Sequence, residues 1–133
     1  MSEVGGSRPL AAGFGRLIVL VYVVFAVSAG ARALFQVATK FGDAPVSFAL
    51  SAIAAAIYLV AAIAIIRGAA RLALIAVAIE LAGVVAVGAL SFAVPDLFPE
   101  PSVWSHFGSG YGYVPLVLPA AGLAYLLKRR RPA

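Results

Sequence analysis

The chain has no cysteine, so disulfides, thiolate metal sites and cysteine nucleophiles are all excluded. A single histidine leaves no cluster of the usual metal-ligand spacing, and neither a metal nor another cofactor is expected. Charge is scarce as well. Asp, Glu, Lys and Arg make up 11% of the 133 residues, against about 25% in a soluble domain. With 64% of residues hydrophobic, composition excludes an ordinary water-soluble domain. The ten bases and five acids give a net charge of +5. The bases flank apolar runs, a pattern that points to membrane topology and away from nucleic acid.

Four apolar runs organise the sequence. Crossing about 30 Å of hydrocarbon takes roughly 20 residues of helix. The runs predict an all-α membrane protein with four transmembrane helices at about 16–38, 45–66, 71–93 and 110–127. A polar lead, 1–13, is expected to be disordered, and residues 128–133 form a basic tail. The link 67–71 is short, so the second and third helices make an antiparallel hairpin. Pro45 suits a first helical turn, where its missing N–H is not needed.

Arg8, Arg16, Arg67, Arg71, Lys128, Arg129, Arg130 and Arg131 fall on one side of this layout, with only Arg32 and Lys40 on the other. The positive-inside rule then puts both termini and the hairpin link in the cytoplasm and makes the chain a multi-pass protein of the plasma (inner) membrane. Asp43, Asp96, Glu100 and His106 face outside. A second reading of the first run is a signal peptide, with residues 28–33 (SAGARA) resembling a cleavage site. The arginine inside that site and the apolar continuation beyond it argue for a retained helix.

One carboxylate, Glu80, stands inside the third run. Rise counting puts it about 13–14 Å from Arg71, near the bilayer midplane. Ionisable groups at that depth are costly and suggest function by default. One reading is a neutral acid hydrogen-bonded across helices to Tyr58 or Tyr22, which fall at similar depth. The other is a proton-coupling or cation-binding carboxylate. Arg32 is a further candidate partner, but it lies about 10 Å farther out by the same counting. If Glu80 is functional, its access is expected through the outward segment before the last helix rather than through the tight hairpin link.

Ser28, Arg32, Gln36 and Lys40 share one face of the first helix. They read either as a stripe snorkelling to the outer headgroups or as the lining of an outward vestibule. Small residues four apart, Ser51, Ala52, Ala55 and Ala56 on the second helix and Ala78, Ala82 and Ala86 on the third, predict close packing between those two helices.

Before the last helix comes an extracellular interfacial segment with Trp104, His106, Tyr111 and Tyr113, where amphipathic rings prefer to sit. Ser102 is expected to cap a short helix there. The segment reads as an interfacial anchor or as a lid over an outward pocket. Pro115 to Leu127 is too short to span alone, at roughly 20 Å of helix. Either the glycine-tyrosine stretch dips into the membrane, or the helix starts near Gly108 and kinks at Pro115 and Pro119.

The stretches ELAGV (80–84) with Val87-Gly88, DLFP (96–99), VWSHFG (103–108), GYGY (110–113) and VPLVLP (114–119) resemble an uncharacterised actinobacterial family of small four-helix integral membrane proteins. That resemblance implies a plasma-membrane, four-helix protein and supplies no reaction and no catalytic residue. Three functions follow as expectations. The leading one is a non-enzymatic accessory or structural subunit of an envelope or membrane complex, with the lipid bilayer and a larger membrane protein, or further copies of the chain, as partners. The alternative is a small oligomeric proton-coupled carrier or channel using Glu80. The third is a lipid-modifying enzyme using His106 with Asp96 or Glu100, which is weakly supported because few polar residues gather there.

Overall fold

The computed structural model describes the backbone of residues 7–130 and the side chains of 13–128. The first six residues of the lead and the last three of the basic tail lie outside the described residues. All regular elements among the described residues are helical: α1, Ser7–Lys40; α2, Pro45–Ile66; α3, Ala70–Ala93; and α4, Val114–Arg130. Among the described residues, three helices are long and apolar enough to cross a membrane. A fourth crossing results if the bent pair Ser105–Tyr111 and Val114–Lys128 counts as one span, the two halves meeting at 100°.

α1 starts earlier than expected, taking in seven residues of the lead. Pro9 falls in its first turn, where proline costs no hydrogen bond, and Leu10-Ala11-Ala12 are good helix formers. The hairpin between α2 and α3 closes through Gly68, whose φ of +72° is open to glycine at no steric cost. The Ala69 N–H donates to the Ala64 carbonyl at 2.9 Å and the Gly68 N–H to the Ile65 carbonyl at 3.2 Å, the paired bonds that end a helix at a left-handed glycine. α1 packs chiefly on α2, α2 on α3, and α3 on α4.

The faces used for packing correct one expectation. α3 buries Ala73, Ala76, Val77, Glu80, Val84, Val87, Gly88 and Ser91, while Ala78, Ala82 and Ala86 point outward. Two residues along a helix rotate the side chain by about 200°. Glu80 and Ala82 therefore cannot both face the bundle. On α2 the inward face carries Ser51, Ala54, Ala55, Tyr58, Ala61 and Ala62, and Ala56 is exposed. Alanines do bring the backbones together there, as small residues allow, but on a different stripe of α3.

Candidate functional site

The centre of the bundle is polar and draws on every helix. Tyr22 of α1, Tyr58 of α2 and Glu80 of α3 are all fully buried. The Tyr22 hydroxyl donates to Glu80 Oε1 at 2.8 Å. Glu80 Oε2 is buried and has no hydrogen-bond partner among the described residues. Tyr22 also stands against α4, where a Cβ added to Gly122 would meet its hydroxyl at 3.0 Å. The rings of Tyr22 and Tyr58 lie 6.3 Å apart. Of the two tyrosines at the right depth, Tyr22 bonds the acid.

Tyr58 bonds elsewhere, for a reason that starts with a proline. Pro119 lies inside α4 and has no N–H to give to the carbonyl four residues back, at Pro115. An unpaired carbonyl in a membrane interior costs several kcal/mol. The Tyr58 hydroxyl turns to it, at 3.4 Å, and accepts in turn from Trp104 Nε1 at 2.9 Å. This hydroxyl thus ties α2 to α4 and to the residue just before the first half of the bent span.

The segment before α4 is embedded in the bundle, with Ser102, Val103, Trp104, Ser105 and Gly108 buried. It dips inward and turns back at Gly112–Tyr113 into α4. The Trp104 indole lies on α3 at Gly83, where an added Cβ would stand 2.6 Å from the ring, and Phe107 fills the seat left by Gly88. Phe25 packs edge-on to Tyr58 and to Tyr111, at 4.9 and 5.4 Å.

The backbone of this segment is strained. His106, Phe107 and Gly108 follow one another at φ of +52°, +60° and +84°, and Tyr113 stands at +63°. The left-handed conformation costs a non-glycine residue about 1–2 kcal/mol. Serine hydroxyls from the helices hold it in place. Ser51 of α2 accepts from the Val103 N–H at 2.9 Å. Ser91 of α3 accepts from the His106 N–H at 2.8 Å and donates to the Gly88 carbonyl at 2.7 Å. Ser102 caps no helix: its hydroxyl accepts from the Trp104 N–H at 3.3 Å, and its own N–H donates to Ser105 Oγ at 2.8 Å.

The remaining candidate residues stay outside this centre. His106 is exposed, with its ring edge-on to Phe92 at 4.7 Å, and Tyr113 is exposed. The Arg32 guanidinium lies 5.7 Å over the Tyr111 ring and does not reach Glu80. Lys40 pairs with Glu100 at 2.9 Å, tying the end of α1 to the loop that leads into the buried segment. Ser28 and Arg32 are exposed, and Gln36 and Lys40 half-buried, so the stripe on α1 runs along an edge of the bundle.

From the loop side, Trp104 and Phe107 cover the α3 face that leads to Glu80. From the hairpin side, a cavity of about 160 Å3 lies among Ala64, Ile65, Gly68, Ala70, Ala73, Tyr125 and Leu126. Ala73 shares the Glu80 face of α3, seven residues or about 10 Å away. Sequence reasoning missed Ser51, Ser91, Gly83, Gly88 and Pro119 as parts of this centre. Of these, only Pro119 carried a local signal, a carbonyl in need of a donor.

Architecture and site together define, among the described residues, an all-helical protein with three to four helices fit to cross a membrane and a buried carboxyl at their centre. No family model, curated protein or solved structure matches the chain.

Proposed function

We propose that this is a small proton-coupled carrier or channel of the plasma membrane, in which Glu80 takes up and releases a proton and the segment Ser102–Tyr111 closes the outer side. The bent pair counts as the fourth span in this reading, and the eight-to-two distribution of bases favours cytoplasmic termini and a cytoplasmic hairpin link.

The observation that carries the proposal is Glu80 Oε2, a buried carboxyl oxygen with no hydrogen-bond partner among the described residues. An unpaired buried polar atom costs about 1–3 kcal/mol, so this oxygen is the part of the carboxyl that the helix-joining bond to Tyr22 does not account for. One oxygen held by Tyr22 and the other unpaired suits a group that exchanges a proton. In place of the outward access expected from the sequence, this reading takes the proton from the hairpin side, where a cavity lies about 10 Å from Glu80, because Trp104 and Phe107 cover the loop-side route. Outer access requires Trp104 and Phe107 to leave their glycine seats.

Proton-linked flux in liposomes tests this. Flux is expected in the wild type and lost in Glu80→Gln, whose amide oxygen still accepts from Tyr22 and preserves the fold. Equal flux in the two proteins would refute the role of Glu80.

An accessory subunit of a membrane complex is the second reading. It is favoured by a groove of about 440 Å3 on the outer face of α1 and α2, lined by small apolar residues including Ala26, Gly30, Ala33, Ala52 and Ala55. Small residues of this kind let another helix approach closely. Crosslinking in cells followed by mild-detergent purification would recover a larger partner if this reading holds and the chain alone if it does not.

A further inference from the structure

One patch outside the centre gathers polar groups without partners. Arg32 is exposed on α1, eight residues inside the helix end at Lys40, which is about 12 Å of axial rise. A cation in the outer part of an apolar span needs an anion or water within reach of its side chain. Among the described residues Arg32 forms no ion pair or hydrogen bond, and its guanidinium is held over the Tyr111 ring at 5.7 Å. A guanidinium over an aromatic face is attracted to the ring while its N–H groups remain able to donate.

Ser28 and Gln36 lie one turn inward and one turn outward on the same face. The side chains of Ser28, Gln36 and Tyr111 likewise have no hydrogen-bond partner among the described residues. Ser28 and Arg32 are exposed and Gln36 half-buried, so this face stays open beside the buried segment. Inward of Ser28 it continues as the apolar side chains of Val21 and Val24.

We infer that this face binds an acidic phospholipid, with Arg32 taking its phosphate. The chemistry fits one occupant. A guanidinium fork pairs with phosphate oxygens in two parallel bonds, hydroxyl and amide groups one turn away suit a polar headgroup, and the apolar lane below suits an acyl chain. A lipid bound here bridges α1 to Tyr111 and so braces the buried segment from outside. This site is independent of proton coupling at Glu80.

The test is a thermal-shift titration in mild detergent with phosphatidylglycerol, phosphatidylcholine and soluble glycerol phosphate. Phosphatidylglycerol is expected to raise the melting temperature of the wild type, with the other two ineffective. Arg32→Gln should need about tenfold more phosphatidylglycerol for the same shift, the equivalent of one charged hydrogen bond. Arg32→Leu, an apolar residue suited to a lipid-facing position, should lose the shift as well. Lys128→Gln removes the same charge at the opposite end and should keep it. Wild-type behaviour in both Arg32 variants, an equal loss in Lys128→Gln, or an equal shift with phosphatidylcholine would overturn the inference. A shift with glycerol phosphate alone would also overturn it, by assigning the contact to free phosphate rather than lipid.

Discussion

The Tyr22 hydroxyl donates to Glu80 Oε1 at 2.8 Å across 58 residues of sequence, joining the first helix to the third with both side chains fully buried. Glu80→Gln keeps an oxygen acceptor for Tyr22, whereas Glu80→Ala leaves the hydroxyl buried and unpaired. Stability should therefore change little in the first and fall by about 1–3 kcal/mol in the second. Unfolding in mixed micelles measures both, and equal losses would show that the hydrogen bond is not what the acid supplies to the fold.

Pro119 and Tyr58 should be energetically coupled. Pro119→Ala restores an N–H to the Pro115 carbonyl, leaving Tyr58 with one bond fewer to make. Tyr58→Phe should then cost less in the Pro119→Ala background than in the wild type, by about 1 kcal/mol. A double-mutant cycle reads this directly. Strict additivity would mean that Tyr58 does not satisfy the carbonyl freed by Pro119.

Trp104 is the only tryptophan, so its emission reports where the buried segment sits. Gly83→Val places side-chain carbons where the indole ring now lies, given that a Cβ alone would stand 2.6 Å from it. The ring must leave, and emission should shift to the red with increased quenching by iodide. An unchanged spectrum would contradict the seat at Gly83.

Ser91 steadies the left-handed turn. Ser91→Ala removes the acceptor of the His106 N–H and should destabilise the protein by about 1–2 kcal/mol. Hydrogen exchange should rise at His106 and Phe107 before it rises in α3. Protection unchanged at His106 would show that the turn is held by other contacts.

How far the sequence could be read differs from residue to residue. Rise along α1, α2 and α3 brings Tyr22, Tyr58 and Glu80 to one depth, because helix length maps onto the thickness of the bilayer. Which tyrosine meets the acid depends on how the helices cross, and residue spacing does not encode that. The outward position of Ala82 was implicit in the burial of Glu80, since the two point about 200° apart on the helix. Trp104 read as an interfacial ring because its seat, Gly83, lies on another helix. A glycine shows that something approaches closely, but not what approaches. The roles of Ser51 and Ser91 were hidden for the same reason, since a serine in an apolar helix gives no sign of which backbone it will bond.

The central claim is that Glu80 exchanges a proton with the hairpin side, and infrared difference spectroscopy on oriented proteoliposomes measures that most directly. A pH jump applied to the hairpin side should change a protonated-carboxyl stretch that is absent in Glu80→Gln, while the same jump on the loop side should change it more slowly, because Trp104 and Phe107 must first leave their seats. The account is contradicted if no Glu80-dependent band responds on either side, or if only the loop side elicits one.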